Sequence, residues 1–251
     1  MLIRFLYALL GVLYSFVQSC LAGSFESLHY TTEIYPPYNY IEQGRLTGLS
    51  VEILRRIWDE LAVAPQKIDV LPWARAYYDL EHQGDRVLFA MAQKKSRLNK
   101  FQWACPIIAR HNGALIALKS SRITIKDISD LKQYVIGTIR DGSIEEDLIA
   151  IQGGRKSNIV RNISLAANLS LLNKGRIQLL AHQQQASPMM ITQLGYNTED
   201  YEVVYVLKSL PICFAFSLAV EPGLIEKFQQ ALTKVINTGE YQQLKEQYFP
   251  E

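Results

Sequence analysis

The chain has 251 residues, enough for one large domain or two lobes of about 100–120 residues each. Its formal charge is only +2 and no basic run exceeds two residues, so a basic footprint for nucleic acid is excluded. Four scattered histidines and no Cys/His pair at metal-ligand spacing give no metal centre, and no cofactor motif is present.

Residues 1–22 read as an export signal rather than as part of the fold. A lone cation, Arg4, precedes an apolar core from Phe5 to Val17, and small or weakly polar residues follow up to Ala22. The apolar core is too short for a comfortable membrane span. Cleavage after Ala22 is the expectation, with lipidation at Cys20 the alternative. Two cysteines then remain, Cys105 and Cys213, as buried thiols or as a bridge in an oxidising compartment.

Leu28 to Ile34 reads as a strand, stopped by Tyr35-Pro36-Pro37-Tyr38, which puts both tyrosines on a loop at the strand's end. Gln43-Gly44-Arg45 is a turn. Thr47 to Leu61 is an amphipathic helix with Val51, Leu54, Trp58 and Leu61 on one face. Lys67 to Leu71 is a strand, and the helix opened by Trp73 and Arg75 runs to about Gly84. Arg86 to Ala92 is a third strand, followed by a basic loop carrying Lys94, Lys95 and Arg97. Strand–helix–strand–helix–strand is the signature of a parallel sheet with crossover helices, in which ligands bind off the C-terminal strand ends. The Tyr35/Tyr38 loop, the Trp73/Arg75 turn and the Arg97 loop therefore share one edge. Lys94 and Lys95 are expected in solvent.

A further strand, Gly113 to Leu118, leads into a second βαβ unit. It comprises a short helix at Ile128–Leu131, a strand at Tyr134–Ile139, a turn at Arg140-Asp141-Gly142 and a helix from Ser143. Ser143 and Glu146 have capping-box spacing, and the free N–H groups of such a helix start suit an anion. Strands at 158–160, 177–181 and 202–206 alternate with helices at 164–173 and 187–194. Ile212 to Ser217 is again a strand, followed by helices at 222–237 and 240–248, which return to complete the first lobe. The expected organisation is lobe 1 from 23–112 and 212–251, lobe 2 from 118–206, and hinge crossings at 113–117 and 207–211.

These pieces carry a family likeness: Tyr35-Pro36-Pro37-Tyr38 with Leu46-Thr47-Gly48 and Val51-Glu52-Ile53; Ser96-Arg97 before Phe101-Gln102-Trp103 and Pro106; Leu131-Lys132 with Ile136-Gly137; Lys174-Gly175-Arg176-Ile177; and Thr238-Gly239-Glu240-Tyr241 before Tyr248-Phe249. In this order and spacing the chain resembles the bacterial extracellular solute-binding proteins of family 3, the polar amino-acid-binding periplasmic proteins. The resemblance implies an α/β fold of the type II periplasmic binding kind. Two lobes, each a mainly parallel sheet flanked by helices, would close over a small ligand about a two-strand hinge. It also implies a monomeric periplasmic protein that is not an enzyme and that serves an inner-membrane ABC permease or a sensor. In that fold the strand before the first crossing and the strand after the second are neighbours, an arrangement that can place Cys105 near Cys213.

The resemblance also assigns roles. Arg97 matches the arginine that grips a ligand's α-carboxylate with its planar fork. Tyr35 matches a cleft-lining residue, with Tyr38 beside it; Trp73 lies where an aromatic wall is frequent; Ser143 matches a helix-start hydroxyl. Three positions depart from the pattern: Ala92 lacks a usual carboxylate-binding hydroxyl, Gln183 replaces the usual aspartate for the ligand's ammonium, and Gln178 replaces another frequent aspartate. An amide accepts a hydrogen bond but does not neutralise a cation, so the expected ligand bears a carboxylate and need not bear a free ammonium. Arg75 and Arg140 would suit a second anionic group. A dehydratase-like enzyme on the same scaffold is the alternative, with Glu33, Asp141 and His182 as its acid–base candidates; a signalling-only ligand sensor is a third reading.

Overall fold

The computed structural model describes residues 23–154 and 157–249. The expected leader, its cleavage point and Cys20 lie outside the described residues. Among the described residues, ten strands and seven α-helices follow one another: β1 His29–Thr32, β2 Tyr40–Glu42, β3 Arg45–Thr47, α1 Leu49–Glu60, β4 Ile68–Val70, α2 Trp73–His82, β5 Arg86–Ala92, β6 Gln102–Leu118, β7 Ile136–Ile139, α3 Ser143–Ile151, β8 Ile159–Asn162, α4 Leu165–Asn173, β9 Leu179–Gln183, α5 Ser187–Gln193, β10 Tyr201–Phe216, α6 Pro222–Ile236 and α7 Gly239–Tyr248.

Eight strands form one sheet in the order β4-β1-β5-β10-β6-β9-β7-β8. Its two ends are parallel, β4-β1-β5 in the first lobe and β9-β7-β8 in the second. The middle is antiparallel, because β10 pairs with both β5 and β6, and β6 pairs with β9. The helix faces are as the apolar spacing requires: Val51, Ile53, Leu54, Ile57 and Trp58 of α1 are all buried in the first lobe's core. In the second lobe the Ser164 side chain caps α4 by accepting from the Ala167 N–H, and Gly175 leaves that helix with a positive φ.

The expected strand boundaries are corrected here. The strand read at 113–118 is the end of a longer strand, β6, that begins at Gln102, and the strands read separately at 202–206 and 212–217 are one continuous strand, β10. Pairing persists across the intervening residues, with Ser209 opposite Asn112 and Leu210 opposite His111, and register shifts between Val206 and Ser209 and between Leu210 and Ile212 absorb the irregular stretch that includes Pro211. The expected two-strand hinge is thus a continuous paired ribbon. The ribbon also brings Cys105 of β6 beside Cys213 of β10, and the two form a disulfide with their Cα atoms 4.7 Å apart. The Gln229 side chain of α6 brackets the same place, accepting from the Cys105 N–H and donating to its carbonyl.

The turn that presents Tyr35 and Tyr38 is held from below by the start of α1. Leu49 and Ser50 N–H groups donate to the carbonyls of Pro37 and Tyr38. That close approach requires Gly48: its φ is +117°, and a Cβ there would lie 2.4 Å from the Tyr38 carbonyl oxygen. Gly48→Ala is expected to cost about 2 kcal/mol, combining backbone strain with a clash against main chain. Urea unfolding of the two proteins measures it.

Candidate functional site: the cleft between the lobes

The sheet places three first-lobe segments at one edge: the end of β1 with the Tyr35 loop, the start of α2, and the turn after β5. Facing them from the second lobe are the β7–α3 turn, the start of α4 and the end of β9. Between them lies a cleft of about 480 Å³, bounded by Glu33, Tyr35 and Trp73 on one side and by Ile139, Ser164 and His182 on the other. A smaller void of about 70 Å³ adjoins it, reached by Tyr35, Ser143, His182 and Gln183.

Arg97 is not a solvated loop arginine. A bulge in β5, where Ala90 has a positive φ and the register against β10 shifts, precedes the 3₁₀ turn Lys95–Arg97 that carries it. Its side chain is 1% exposed, with the guanidinium 5.4 Å from the Trp73 ring centroid and 5.2 Å from that of Tyr77. The fork already holds a carboxylate, and that carboxylate comes from the other lobe. Nε and Nη2 donate to Glu146 Oε1 of α3 at 3.0 and 2.5 Å, and Nη2 also donates to the Asp141 carbonyl; Nη1 is buried without a partner. Further polar contacts cross this gap, beside the packing of Ile139 on the cluster that holds Trp73. Ser96 Oγ donates to Glu146, Trp73 Nε1 donates to the Asp141 carbonyl at 2.8 Å, and Lys94 Nζ reaches Asp147 at 2.7 Å and the Ser143 carbonyl at 2.6 Å. Burial alone would raise the Glu146 carboxyl, but Arg97, Ser96 and Lys94 together bring it below the usual carboxylate range.

This arrangement corrects the expectations for Lys94 and Ser143. Lys94 is largely buried and paired rather than solvated. Ser143 is the first residue of α3, Gly142 is the N-cap, and no side-chain cap bond forms. Glu146 does not fold back as a capping-box partner because it is drawn across the gap to Arg97.

Tyr35 lines the cleft and stacks on Tyr38, with ring centroids 5.1 Å apart. Both hydroxyls meet one imidazole: Tyr35 Oη at His111 Nε2 and Tyr38 Oη at His111 Nδ1. A neutral imidazole donates from one nitrogen and accepts at the other, so one tyrosine accepts and the other donates. Tyr38 lies behind Tyr35 and faces a separate groove beside Ile108 and Phe249. Burial, assisted by His182, lowers His111 to about 3. The fold therefore keeps it neutral, whereas the unfolded chain takes a proton near pH 6.5. Stability must then fall as pH drops from 6.5 toward 3, by about 2 kcal/mol by pH 5 from this residue. Glu33 acts in the opposite direction over pH 4.5–8 but does so equally in a His111 variant. His111→Gln is expected to lose stability less steeply than the parent between pH 7.5 and 5, as read by denaturant titration at each pH.

His182, at the end of β9, accompanies Tyr35 edge-on at 5.8 Å. Ser187 Oγ donates its only proton to the Gln183 carbonyl at 2.6 Å, so His182 Nδ1, 3.0 Å from that oxygen, is the donor to it. The other nitrogen, Nε2, is left as an acceptor in a residue that lines the cleft. Gln183 is also buried, and its side-chain oxygen has no partner. Burial lowers His182 to about 4 and raises Glu33 to about 8, with no neighbouring charge or hydrogen bond offsetting the Glu33 burial.

Two further positions, Arg75 and Arg140, differ from expectation. Arg75 is exposed and paired to Asp79, because two residues along a helix from the inward Trp73 is the opposite face. Arg140 is likewise exposed and, with Arg75, stands outside the lining of the cleft. Gln178 is exposed and accepts from the Val135 N–H, tying two strands of the second lobe. Ala92 is buried at the end of β5, near Gln183 and His111 around a minor void. Among the acid–base candidates, Asp141 is engaged by Arg161 at 2.9 Å. Sequence reasoning missed Glu146, Tyr77 and His111. Only Glu146 had been noticed, for its spacing from Ser143, and that spacing pointed to the wrong partner.

A two-lobed α/β protein with a solvent-connected cleft between lobes, aromatic groups on one wall, a helix start on the other and the buried Arg97 behind Trp73, is a small-molecule binding protein. The chain belongs to the bacterial extracellular solute-binding proteins, family 3, whose model matches residues 29–251. A protein of Haemophilus influenzae described as a "probable amino-acid ABC transporter-binding protein" is 25% identical over 228 residues, covering 87% of this chain and 82% of that one. Among solved structures, an ancestral arginine-binding protein bound to arginine superposes with a TM-score of 0.77 at 18% identity, covering 89% of this chain and 98% of the other. A histidine kinase sensor domain with similarity to periplasmic binding proteins gives 0.78 at 19% identity, with 90% and 98% covered. The fold is that of the type II periplasmic binding proteins.

Proposed function

We propose that the chain works in the periplasm as a monomer that captures an amino acid or a related carboxylate-bearing solute between its lobes for an inner-membrane ABC permease. The observation that carries this reading is Arg97. It is buried between two aromatic rings, its fork is formed, and it holds a carboxylate at the boundary between lobes. In this reading the ligand's carboxylate exchanges with that of Glu146 on Arg97, Tyr35 and Trp73 flank the ligand, and Ser143 and Gln183 meet it from the second lobe. Contacts available only when both walls are near favour the closed arrangement, and the permease reads that arrangement as a surface. The related Haemophilus protein, by its description, supports the transporter assignment.

A sensor without transport is the second reading, favoured by the likeness to a histidine kinase sensor domain. Deleting the chain separates the two. Loss of solute uptake supports transport; intact uptake with a lost transcriptional response supports sensing. For the ligand itself, a thermal-shift screen of amino acids and organic acids is expected to give hits that weaken in Arg97→Ala; hits of undiminished affinity in that variant would remove Arg97 from the site.

A further inference from the structure

The lining of the cleft is more specific than the word solute. Among the described residues, eleven large apolar side chains are exposed, and four of them, Ile34, Val70, Ile163 and Leu194, border this one cleft. They come from four separate segments, two in each lobe, so no single amphipathic element accounts for their gathering. Met190 and Trp73 extend the apolar surface inward. A contiguous apolar rim around a cavity of this size marks a surface that something covers.

Three acceptors lie in or beside the same space with no partner among the described residues. Glu33 lines the cleft with a carboxyl that no side chain pairs; burial favours its protonated form, and a cation beside it would restore the carboxylate. His182 supplies Nε2 as an acceptor, because its other nitrogen is committed to Ser187. Gln183, whose side-chain oxygen is buried and unpartnered, adds a third acceptor in the adjoining void. Three nearby groups are engaged, the Tyr35 hydroxyl with His111, Trp73 Nε1 with the Asp141 carbonyl, and Arg97 Nε and Nη2 with Glu146, which leaves Arg97 Nη1 for the ligand's carboxylate end. Unmet acceptors on an apolar wall fit a molecule whose head donates hydrogen bonds and whose body is apolar.

We propose that the cleft takes an apolar body bearing an ammonium, an aromatic or branched-chain amino acid or the corresponding amine, with Glu33 opposite the ammonium. This rests on the solute-binding reading and adds to it the chemistry of the ligand's second end. Glu33 thereby supplies the acid that Gln183 does not.

Calorimetric titration of the exported chain with four probes tests it: L-phenylalanine, phenethylamine, 3-phenylpropionate and L-aspartate. Phenylalanine and phenethylamine are expected to bind at least tenfold more tightly than aspartate. Glu33→Gln should weaken both by at least tenfold. Ile163→Asp, at an exposed rim position where folding is not at risk, should weaken both severalfold with an unchanged melting temperature. The inference is overturned if aspartate binds as tightly as phenylalanine. It is also overturned if Glu33→Gln and Ile163→Asp, both folded, keep the parent's affinity, or if none of the aromatic probes binds. Failure of the broader reading looks different: phenylalanine, or whichever amino acid binds, then does so equally in Arg97→Ala. Phenethylamine, lacking a carboxylate, should be indifferent to Arg97→Ala, which separates the two ends of the ligand.

Discussion

Arg97→Ala should weaken binding of a carboxylate ligand on the order of 100-fold or more, since truncating one member of a buried, hydrogen-bonded charge pair costs about 2–5 kcal/mol. The residue is well placed for so large an effect. It is 1% exposed, two aromatic rings fix its guanidinium, and its Nη1 is left over for a partner. Truncation also strands Glu146, which is then held only by Ser96 and Lys94. Arg97→Lys should recover little. A lysine keeps the charge but loses the fork that meets Glu146 and the Asp141 carbonyl together. Titration calorimetry on the parent and both variants measures the effect, and equal affinities would remove Arg97 from the site.

The second large effect concerns stability. The Cys105–Cys213 bridge spans 108 residues of sequence, a closure that encloses the whole second lobe. Removing such a cross-link widens the unfolded ensemble and is expected to cost about 2–5 kcal/mol. For a chain of this size that is a fall of about 5–15 °C in melting temperature. The bond ties β6 to β10 beside the Ala104–Phe214 pair, and Gln229 anchors α6 to the same point. The loss should therefore appear first in the first lobe. A Cys105→Ser, Cys213→Ser double variant, or the parent under reductant, tests this in a thermal melt; an unchanged midpoint would show that packing alone sets stability there.

What the sequence disclosed depended on whether the information was local. The α1 helix was legible because Val51, Leu54 and Trp58 repeat at helical spacing and a core must cover them. The strand ends at Tyr35 and Arg97 were legible because prolines and a basic run punctuate apolar segments. The continuity of β6 and β10 was not, because it depends on pairing between residues about a hundred positions apart, such as Asn112 with Ser209. The site divided in the same way. Trp73 and Tyr35 fall at strand-adjacent positions that the βαβ pattern itself brings to one edge. Glu146 was misassigned because Ser143 and Glu146 satisfy a local capping pattern, while the charge that claims Glu146 lies 49 residues away on Arg97. Arg75 was misplaced by neglect of the 100° turn between successive helical residues, which sends it to solvent once Trp73 faces inward. His111 gave no local signal at all; it joins Tyr35 and Tyr38 only because the ribbon between lobes passes behind their loop.

The measurement closest to the central claim is stoichiometric binding of an amino acid or a near relative to the protein, by titration calorimetry, repeated on Arg97→Ala and Trp73→Ala. One ligand per chain, with affinity lost in both variants, is the result that capture between these two walls predicts. Saturable binding that survives unchanged in both would contradict it.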